Sequence, residues 1–312
     1  MAGQKMRTGC DSFWALLMLL SHAHSAIPTD ECGTRPAVED ITGTQVVGGH
    51  NVQLGAWPWQ VSLQIYRVGS GRYLHECGGS LINNNSVLTA AHCIKKWINP
   101  EYWRAVLGLH HLYKWNSHTM YRRVKKIVIH PDFKWGSYEN DIAFFQLLRF
   151  VKYNEYIQPI CLPDIAHLVT DMDLCYISGW GKREKKDKFQ NTLQETKVDI
   201  IPLYICNRFD WFNGRISRNM ICAGSASGHG DSCEGDSGGP LMCNFPNVSE
   251  YYLIGITSSA TACGIPKHPG IYLNTVHYRT WIDSQLYSKT TTSIQHIVIF
   301  FIMEWVIFYV LL

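Results

Sequence analysis

A serine flanked by glycine-rich sequence is the residue in this chain best suited to nucleophilic chemistry. Ser237 lies within Asp231–Pro240, which reads Asp-Ser-Cys-Glu-Gly-Asp-Ser-Gly-Gly-Pro. The neighbouring glycines permit a tight turn and the close approach of a substrate carbonyl, so that the amides of Gly235 and Ser237 would face a developing oxyanion. A Gly-x-Ser-x-Gly match alone occurs by chance, but all ten residues fit this chemistry. The run predicts Ser237 as a nucleophile and these two amides as an oxyanion hole.

A serine nucleophile needs a general base, and the base needs a group that orients it. His92 stands next to a cysteine in Leu88–Cys93, and Asp141 leads into the apolar run Ile142–Phe145. A lone histidine is more often a core residue and a lone aspartate is more often a cap or surface charge, so both assignments depend on the surrounding motifs. In the order His92, Asp141, Ser237 the three side chains predict a catalytic triad.

Further motifs occur along the chain in one order and together indicate a family. They are Val46–Gly49 (VVGG), Trp57–Leu63 (WPWQVSL), Cys77–Ile82 (CGGSLI), Cys175–Gly181 (CYISGWG) and Pro269–Tyr272 (PGIY). From about Val46 to Leu286 the chain resembles the trypsin-like branch of the chymotrypsin family of serine proteases. The resemblance implies hydrolysis of peptide bonds through an acyl-enzyme, with protein substrates, protein inhibitors as further candidate partners, and no cofactor.

Short β-branched and aromatic runs between Gly, Pro and Asn residues predict an all-β barrel or sandwich. The runs are Gln60–Tyr66, Ser86–Thr89, Arg104–Leu107, Lys126–Ile129, Ala143–Leu147, Tyr176–Ser178 and Tyr252–Thr257. The resemblance specifies two packed six-stranded antiparallel β-barrels, with His92 and Asp141 in the first and Ser237 in the second. Helical spacing of apolar residues predicts a closing helix over Thr275–Leu286.

Length and composition fit one packed catalytic domain with additional segments at both ends. The chain has 312 residues, of which 46% are hydrophobic and 17% charged, and its net charge of +3 does not indicate a nucleic-acid partner. The predicted organisation is a signal peptide at 1–25, a propeptide at 26–45, a trypsin-like peptidase domain at 46–286, a linker at 287–296 and a C-terminal hydrophobic anchor at 297–312.

The apolar segments at both ends predict an extracellular domain tethered to the cell membrane. Residues 1–25 combine two basic residues, an apolar run and the small-x-small sequence Ala23–Ser25, which is typical of a signal peptide. A signal anchor is the alternative, and the short apolar run disfavours it. The segment Ile297–Leu312 is short for a membrane span and contains Glu304. A single-pass anchor and a GPI signal therefore both remain open.

The cysteine content fits passage through the secretory pathway. The chain has 11 cysteines, and removal of Cys10 with the signal peptide leaves ten. Spacing alone does not determine their pairing. The resemblance implies the pairs Cys77–Cys93, Cys175–Cys243, Cys206–Cys222, Cys233–Cys263 and Cys32–Cys161. The last pair would hold the propeptide to the domain after cleavage. The sequons at Asn84 and Asn247 predict N-glycosylation.

The resemblance also assigns a primary specificity pocket. Asp231 lies six residues before Ser237, at the base of the family's pocket, where a carboxylate favours Arg or Lys in the substrate. Gly270 leaves the pocket deep, and Ser258 would form a hydrogen bond with Asp141. The pocket mouth departs from the family pattern.

At the pocket mouth, Ser259 stands where the family usually has Trp, and Ala260 and Ala262 stand where trypsin-like members usually have Gly. The added methyl groups would narrow the mouth, and the missing indole would remove an apolar wall. We therefore expect slow turnover of generic substrates.

Activation is the larger departure from the family pattern. In the family, the new amino terminus, here Val46, pairs with the aspartate before the nucleophile, here Asp236, and organises the oxyanion hole. The residue before the cut is normally Arg or Lys, whereas here it is Gln45. The activating protease is therefore unknown, and two alternatives remain open: an activator of another class, or a zymogen that persists. Gln45 and the altered mouth leave open a second function: a non-proteolytic cell-surface binding protein that retains the protease fold.

Metal binding is not expected from the sequence. The family's calcium loop falls near Leu109–Met120, which offers histidines and aromatic residues but no Asp or Glu, and hard cations need oxygen ligands. No calcium site is therefore predicted. The charge run Lys182–Lys188 predicts a solvated loop rather than an anion-binding surface.

Removing Ile297–Leu312 is expected to release the protein into the medium, because no other segment of the mature chain is long and apolar enough to hold a bilayer. Cell fractionation and immunoblotting of the medium measure this. Phosphatidylinositol-specific phospholipase treatment of cells carrying the full chain separates the anchors, because only a GPI anchor would be released. Truncated protein that stays with the membrane would contradict both anchors.

Overall fold

A computed structural model describes residues 31–38, 50–94, 97–164, 173–181, 190–225, 236–246, 248–259 and 265–287. All of them except Glu31 belong to the second of two compact units, which comprises Cys32–Leu312. The strands in these ranges are β1 (His50–Asn51), β2 (Gln60–Arg67), β3 (Arg72–Asn83), β4 (Ser86–Thr89), β5 (Trp103–Leu107), β6 (Met120–Ile129), β7 (Ala143–Leu147), β8 (Leu174–Gly179), β9 (Gln194–Ile201), β10 (Met220–Gly224), β11 (Pro240–Asn244), β12 (Tyr251–Ser259) and β13 (Gly270–Asn274). The helices are α1 (Leu203–Cys206) and α2 (Arg279–Tyr287).

The first barrel is a closed antiparallel sheet with the strand order β2-β3-β4-β7-β6-β5. Its interior follows the two-residue period of a strand, in which alternate side chains face the same side. On β2 and β5 the cross-strand pairs Val61–Leu107, Leu63–Ala105 and Ile65–Trp103 are all completely buried. Closure leaves this sheet without a free edge.

The second barrel has the strand order β9-β10-β13-β12-β11-β8 and closes through pairing of β8 with β9, while β1 adds a further strand to β9. Leu241, Ile254 and Tyr272 are completely buried in its core. The two six-stranded antiparallel barrels confirm the fold class predicted from the sequence.

The two barrels meet through an aromatic cluster and a buried hydrogen bond. Trp57 and Trp59, which precede β2, lie with their ring centroids 5.2 and 5.8 Å from that of Tyr251 on β12. Ser178 on β8 donates its hydroxyl to Gln60 Oε1 on β2 at 2.6 Å. Both side chains of this bond are buried, so the bond and the ring contacts fix one barrel against the other.

The predicted closing helix is divided into two elements. Thr275–Tyr278 is a 3₁₀ turn, and the α-helix begins only at Arg279. Asn274 caps the turn, because its side-chain oxygen accepts a hydrogen bond from the amide of Val276. This division matters for the site, since it places Tyr278 at the junction of the turn and the helix.

Four of the five disulfides implied by the resemblance are present among the described residues. They are Cys32–Cys161, Cys77–Cys93, Cys175–Cys243 and Cys206–Cys222. The cysteines of the remaining pair, Cys233 and Cys263, lie outside the described residues.

The segment 31–38 from the predicted propeptide is attached to the peptidase domain by more than its disulfide. The amide of Gly33 donates to Pro159 O at 2.8 Å, and Gly33 O accepts from the amide of Tyr251 at 2.9 Å. The Arg35 guanidinium carbon lies 4.9 Å from the Trp57 ring centroid and 4.8 Å from that of Tyr251. Such cation–π contacts hold the segment against the aromatic cluster.

Other sequence predictions fall on different parts of the chain. Asn84 occupies the partly exposed turn between β3 and β4, whereas Asn247 lies outside the described residues. The signal peptide, the charge run 182–188, the linker beyond residue 287 and the anchor 297–312 also lie outside them. Within the described ranges, no helix combines the length and hydropathy needed to cross a membrane.

Gly33→Ala is expected to destabilise the protein more than the control Gly71→Ala. Both glycines have left-handed backbone, with φ of +71° and +64°, and an alanine there is strained by about 1–2 kcal/mol. At Gly33 the new Cβ would also lie 2.5 Å from Tyr251 O, whereas at Gly71 no atom lies within 4 Å. We expect an additional loss of about 1–3 kcal/mol for Gly33→Ala, measured by denaturant unfolding. Equal losses for both variants would contradict the tight docking of the segment.

Candidate active site

A fully buried carboxylate is at the centre of the candidate site. Asp141, two residues before β7, is 0% exposed. Its Oδ1 accepts the backbone amide of His92 at 2.8 Å, and its Oδ2 lies 2.7 Å from His92 Nδ1. Ser258 on β12 donates its hydroxyl to the same Oδ2 at 2.5 Å. Three donors thus compensate the desolvation of the carboxylate.

The residues around His92 hold its ring against that carboxylate. His92 lies in the 3₁₀ turn Ala91–Ile94 directly after β4, and Ala90 and Ala91 are completely buried. The Cys77–Cys93 disulfide fastens the turn to β3. Because Asp141 accepts at Nδ1, that nitrogen carries the proton and Nε2 of the neutral ring is left as the basic nitrogen. The His92 side chain is 19% exposed, so the ring remains accessible.

The backbone around Ser237 is fastened to both barrels. Ser237 O accepts the amide of Gly78 on β3 at 2.8 Å, and the amide of Gly238 donates to Thr257 O on β12 at 2.8 Å. Gly238 has φ of +77°, as expected for a tight turn that requires glycine. The position of the serine therefore depends on the relative position of the barrels.

The segment after Ser237 packs on the residues just before His92. A Cβ built on Gly238 would collide with Thr89 Oγ1 and would lie 3.1 Å from the amide nitrogen of Ala90. The structure thus brings the three predicted triad residues to one seam between the barrels. Among the hydrogen bonds of the described residues, none joins Ser237 Oγ to the His92 ring. Catalytic hydrogen bonds are often long before substrate binds.

Tyr138 is a site residue that the motif analysis did not identify. Its ring is in an edge-on contact with His92, with a centroid distance of 5.6 Å, and Tyr138 is 38% exposed. Tyr138 has φ of +57°, which is uncommon for a bulky residue. Its position three residues before Asp141 is the one sequence signal that could have indicated this contact.

A second overlooked residue, Tyr278, supports the loop that carries Asp141. In that loop Asn140, the residue before Asp141, has φ of +57°, the same value as Tyr138. Its Oδ1 accepts the Tyr278 hydroxyl at 2.8 Å, and its Nδ2 donates to Asp132 O at 2.8 Å. Burial raises the pKa of Tyr278 to about 12, and the neighbouring Glu139 contributes in the same direction. The hydroxyl therefore remains a donor at neutral pH.

The carboxylate of Asp236 occupies a position that only glycines permit. The amide of Gly181 donates to Asp236 Oδ1 at 2.9 Å. A Cβ on Gly181 would lie 2.5 Å from Asp236 Oδ2, and a Cβ on Gly179 would collide with Oδ1. The glycines of the segment Cys175–Gly181 therefore make room for this carboxylate. Gln45 and Val46 lie outside the described residues.

The predicted specificity pocket is described only in part. Ser258 is buried on β12, Ser259 is partly exposed at the end of the same strand, and Gly270 is buried at the start of β13. Register pairing places Ser259 opposite Ile271, so these residues lie on adjacent strands. Asp231, Gly235 and Ala260 lie outside the described residues.

One cluster at the site has the composition of a metal centre but not its chemistry. The ligand atoms of Cys77, His92 and Cys93 lie within 4.8 Å of one another. The two sulfurs are joined in a disulfide, and metal binding requires thiolates. His92 Nδ1 is engaged by Asp141. This cluster is therefore part of the scaffold of the site.

Two closed β-barrels with a buried aspartate–histidine pair and a glycine-flanked serine at their seam define a two-barrel serine peptidase. Comparison with known families agrees, because the family model for trypsin matches residues 46–282. The chain belongs to the trypsin family of serine endopeptidases, whose substrates are proteins.

In protein cleaved before Val46, Tyr278→Phe is expected to reduce kcat about threefold to tenfold, because Asn140, the residue before Asp141, loses a hydrogen bond of about 1 kcal/mol. The acidic limb of the kcat/KM profile is expected to move to lower pH, since a less firmly held Asp141 stabilises the imidazolium less. The control is Tyr287→Phe, which changes an exposed tyrosine on α2. It is expected to leave kcat and the pH profile of kcat/KM unchanged. A lower thermal stability of Tyr278→Phe without any change in the pH profile would contradict the positioning role.

Proposed function

We propose that this protein is an extracellular, membrane-tethered serine endopeptidase that cleaves after Arg or Lys. The observation that carries the proposal is the fully buried Asp141 carboxylate within hydrogen-bond distance of His92 Nδ1. A buried carboxylate is stable only with strong partners, and here those partners orient an imidazole beside a glycine-flanked serine. This arrangement suits general base catalysis.

In the proposed reaction, His92 Nε2 removes the proton from Ser237 Oγ as that oxygen attacks the scissile carbonyl. Asp141 holds the ring in the required tautomer and stabilises the imidazolium. The amides of Gly235 and Ser237 stabilise the oxyanion. The imidazolium then protonates the leaving amine, and water hydrolyses the acyl-enzyme by the same proton path in reverse. Ser258 and Tyr278 act through Asp141 as positioning residues.

Specificity for basic residues is proposed from Asp231. Its carboxylate would pair with the substrate cation in a pocket bounded by Gly270 and Ser258. The position of Asp231 relative to Ser237 and the match to the trypsin family support this specificity. Ser259 and Ala260 would shape the pocket mouth and slow the turnover of generic substrates.

Activation by a new amino terminus is proposed from the surroundings of Asp236. The freed Val46 ammonium would enter this region and pair with the Asp236 carboxylate, which compensates desolvation of both charges only if the pair is close and hydrogen-bonded. Gly179 and Gly181 make room for that carboxylate, because a Cβ at either position would collide with it. Because Gln45 precedes the cut, the activating protease would not be a tryptic one.

Location outside the cell is proposed from the signal-like segment 1–25 and the apolar segment 297–312. The disulfides fit an oxidising compartment. The segments Ser137–Asp141 and Tyr156–Cys161 also resemble those of a membrane-tethered family member, the transmembrane serine protease twelve. A single-pass anchor and a GPI anchor are both compatible with this location.

Gln45→Arg is expected to make the protein activatable by trypsin, because it supplies a cation before the cut and changes nothing after Val46. After trypsin treatment, terminal sequencing confirms the cut, a fluorophosphonate probe reports an activated Ser237, and an Arg peptide measures hydrolysis. We expect labelling and hydrolysis only in the cleaved Gln45→Arg protein, with the untreated protein and the wild type inactive.

Two control variants in the Gln45→Arg background identify the residues involved. Ser237→Ala should lose labelling and hydrolysis while remaining folded. Asp231→Ser should retain labelling and lose at least about thirtyfold in kcat/KM for Arg peptides, because a desolvated charge pair is broken. Cleanly cut Gln45→Arg protein that neither labels nor hydrolyses would overturn the peptidase proposal and favour the non-proteolytic binding protein.

A further inference from the structure

One wall of the first barrel, formed by β5, β6 and the loop between them, carries an excess of positive charge that the catalytic chemistry does not use. Between Trp103 and Ile129 the sequence has six Lys or Arg residues and no Asp or Glu, although the whole chain has a net charge of only +3. The six are Arg104, Lys114, Arg122, Arg123, Lys125 and Lys126. Strands β5 and β6 and the loop between them contribute all of them.

Arg104 and Arg123 lie directly opposite each other on β5 and β6. Like charges in this cross-strand position repel. The cations of this wall form no ion pair with a carboxylate of the described residues. On β3, which is separated from β5 by β2, the acidic residue Glu76 is already paired with Arg67 at 2.6 Å. The repulsion between the two arginines is therefore not relieved within the described part of the chain.

The Arg104 guanidinium is held in one orientation by its neighbour on β2. Its Nε and Nη2 both donate to Gln64 Oε1, at 2.9 and 2.7 Å. Gln64 is 3% exposed and lies opposite Arg104 in the register of β2 and β5. Guanidinium has five N–H donors, and those of Nη1 have no partner among the described residues. The group is thus oriented with donors still available.

Aromatic rings surround this guanidinium. Its central carbon lies 4.2 Å from the ring centroid of Tyr73, 5.0 Å from that of Trp115 and 5.8 Å from that of Tyr121. Trp115 and Tyr121 are 43% and 50% exposed, so the rings also present apolar area to the solvent. We call Tyr73, Arg104, Trp115, Tyr121 and Arg123 the Arg104 surface.

Partial burial among these rings removes water from the Arg104 cation. This desolvation lowers the pKa of Arg104, against the smaller raising effect of Tyr73 and Tyr121. An arginine nevertheless stays charged at neutral pH. The surface therefore combines a desolvated and oriented cation, a second cation opposite it, and exposed aromatic area, but no carboxylate from the described residues.

We infer that the Arg104 surface docks an acidic peptide segment of a partner protein, one that carries Glu or Asp next to an aromatic residue. A carboxylate would accept from Arg104 Nη1 and from Arg123 and would relieve the repulsion between them. An aromatic side chain would pack on Trp115 and Tyr121. Arginines and large aromatic residues are the side chains most enriched in protein binding sites.

The fixed orientation of Arg104 favours a peptide over an anionic membrane. A planar guanidinium braced by Gln64 matches the planar geometry of one carboxylate, whereas attraction to a lipid surface needs only diffuse charge. Docking here is independent of the proposed peptidase reaction, because the surface contains none of the residues of the candidate active site.

Fluorescence anisotropy with a labelled peptide tests this inference on detergent-solubilised full-length protein. The probe is Gly-Glu-Phe-Glu repeated three times, and the matched control peptide has Gln in place of every Glu. We expect the Glu peptide to bind at least about tenfold more tightly than the Gln peptide, and its affinity to fall when NaCl is raised from about 0.05 M to about 0.5 M. Equal binding of both peptides, or no binding of the Glu peptide, would overturn the inference.

Variants assign the binding to the Arg104 surface. Arg104→Gln and Arg123→Gln are each expected to weaken binding of the Glu peptide at least about fivefold. Arg123 is exposed, and its substitution leaves the hydrogen bonds between Arg104 and Gln64 in place. Lys197→Gln, which removes an exposed cation from β9 of the second barrel, should change affinity less than about twofold. Thermal unfolding confirms that each variant is folded.

Two further outcomes decide against the inference. Equal weakening by Lys197→Gln would show that net charge, and not this surface, attracts the peptide. Binding of phosphatidylserine-containing vesicles with the same loss in Arg123→Gln, in protein that ignores the Glu peptide, would assign the surface to membranes. Because the peptide contains no Arg or Lys and the assay needs no turnover, its result is independent of whether cleaved Gln45→Arg protein is an active peptidase.

Discussion

The structure around the candidate site depends on the buried carboxylate of Asp141. A carboxylate without any exposure to water is stable only if nearby donors replace its hydration. Two of its donors come from His92 in the first barrel, and the third is Ser258 on a strand of the second. Satisfying one charge therefore requires both barrels to lie in one relative position. Removing any of these donors would leave part of that charge uncompensated.

The same dependence on both barrels applies to Ser237. Its carbonyl oxygen is held by Gly78 of the first barrel, while the next amide is held by Thr257 of the second. A Cβ on Gly78 would lie 2.9 Å from the Cα of Gly239, so the two backbones can approach this closely only because position 78 is glycine. Substitutions inside either barrel are therefore expected to change stability, whereas substitutions at this seam are expected to change the position of Ser237 in the candidate site.

Local sequence patterns were sufficient for some strands and insufficient for others. Strands such as β2 and β7 have β-branched or aromatic runs, and they were predicted. Strand β3 contains Gly78 and Gly79 and strand β11 begins with Pro240, which are unfavourable strand residues, and both were missed. Their strand conformation is set by the packing of the barrels, which no local pattern reports. For the candidate site, the local motifs were sufficient to predict His92, Asp141 and Ser237 as the triad.

The residues that support the site were harder to predict. Tyr138 contacts His92 across a turn with left-handed backbone, and Tyr278 reaches Asn140 from a part of the chain 138 residues away. Neither contact follows from spacing along the sequence, because both depend on tertiary structure. The Cys32–Cys161 pairing, by contrast, was available from the family pattern, but the ring contacts of Arg35 beside it were not.

Those contacts of Arg35 affect how the chain would withstand proteolysis. Arg35 is the sole basic residue between positions 26 and 45, and Pro36 follows it. Its guanidinium lies against Trp57 and Tyr251, so it would have to leave both rings before it could enter the pocket of an enzyme that cleaves after cations. The following proline also removes a backbone N–H and fixes φ. A peptidase with the proposed specificity would thus leave this segment of its own molecules intact, and the amino-terminal peptide would persist as a covalently attached second chain.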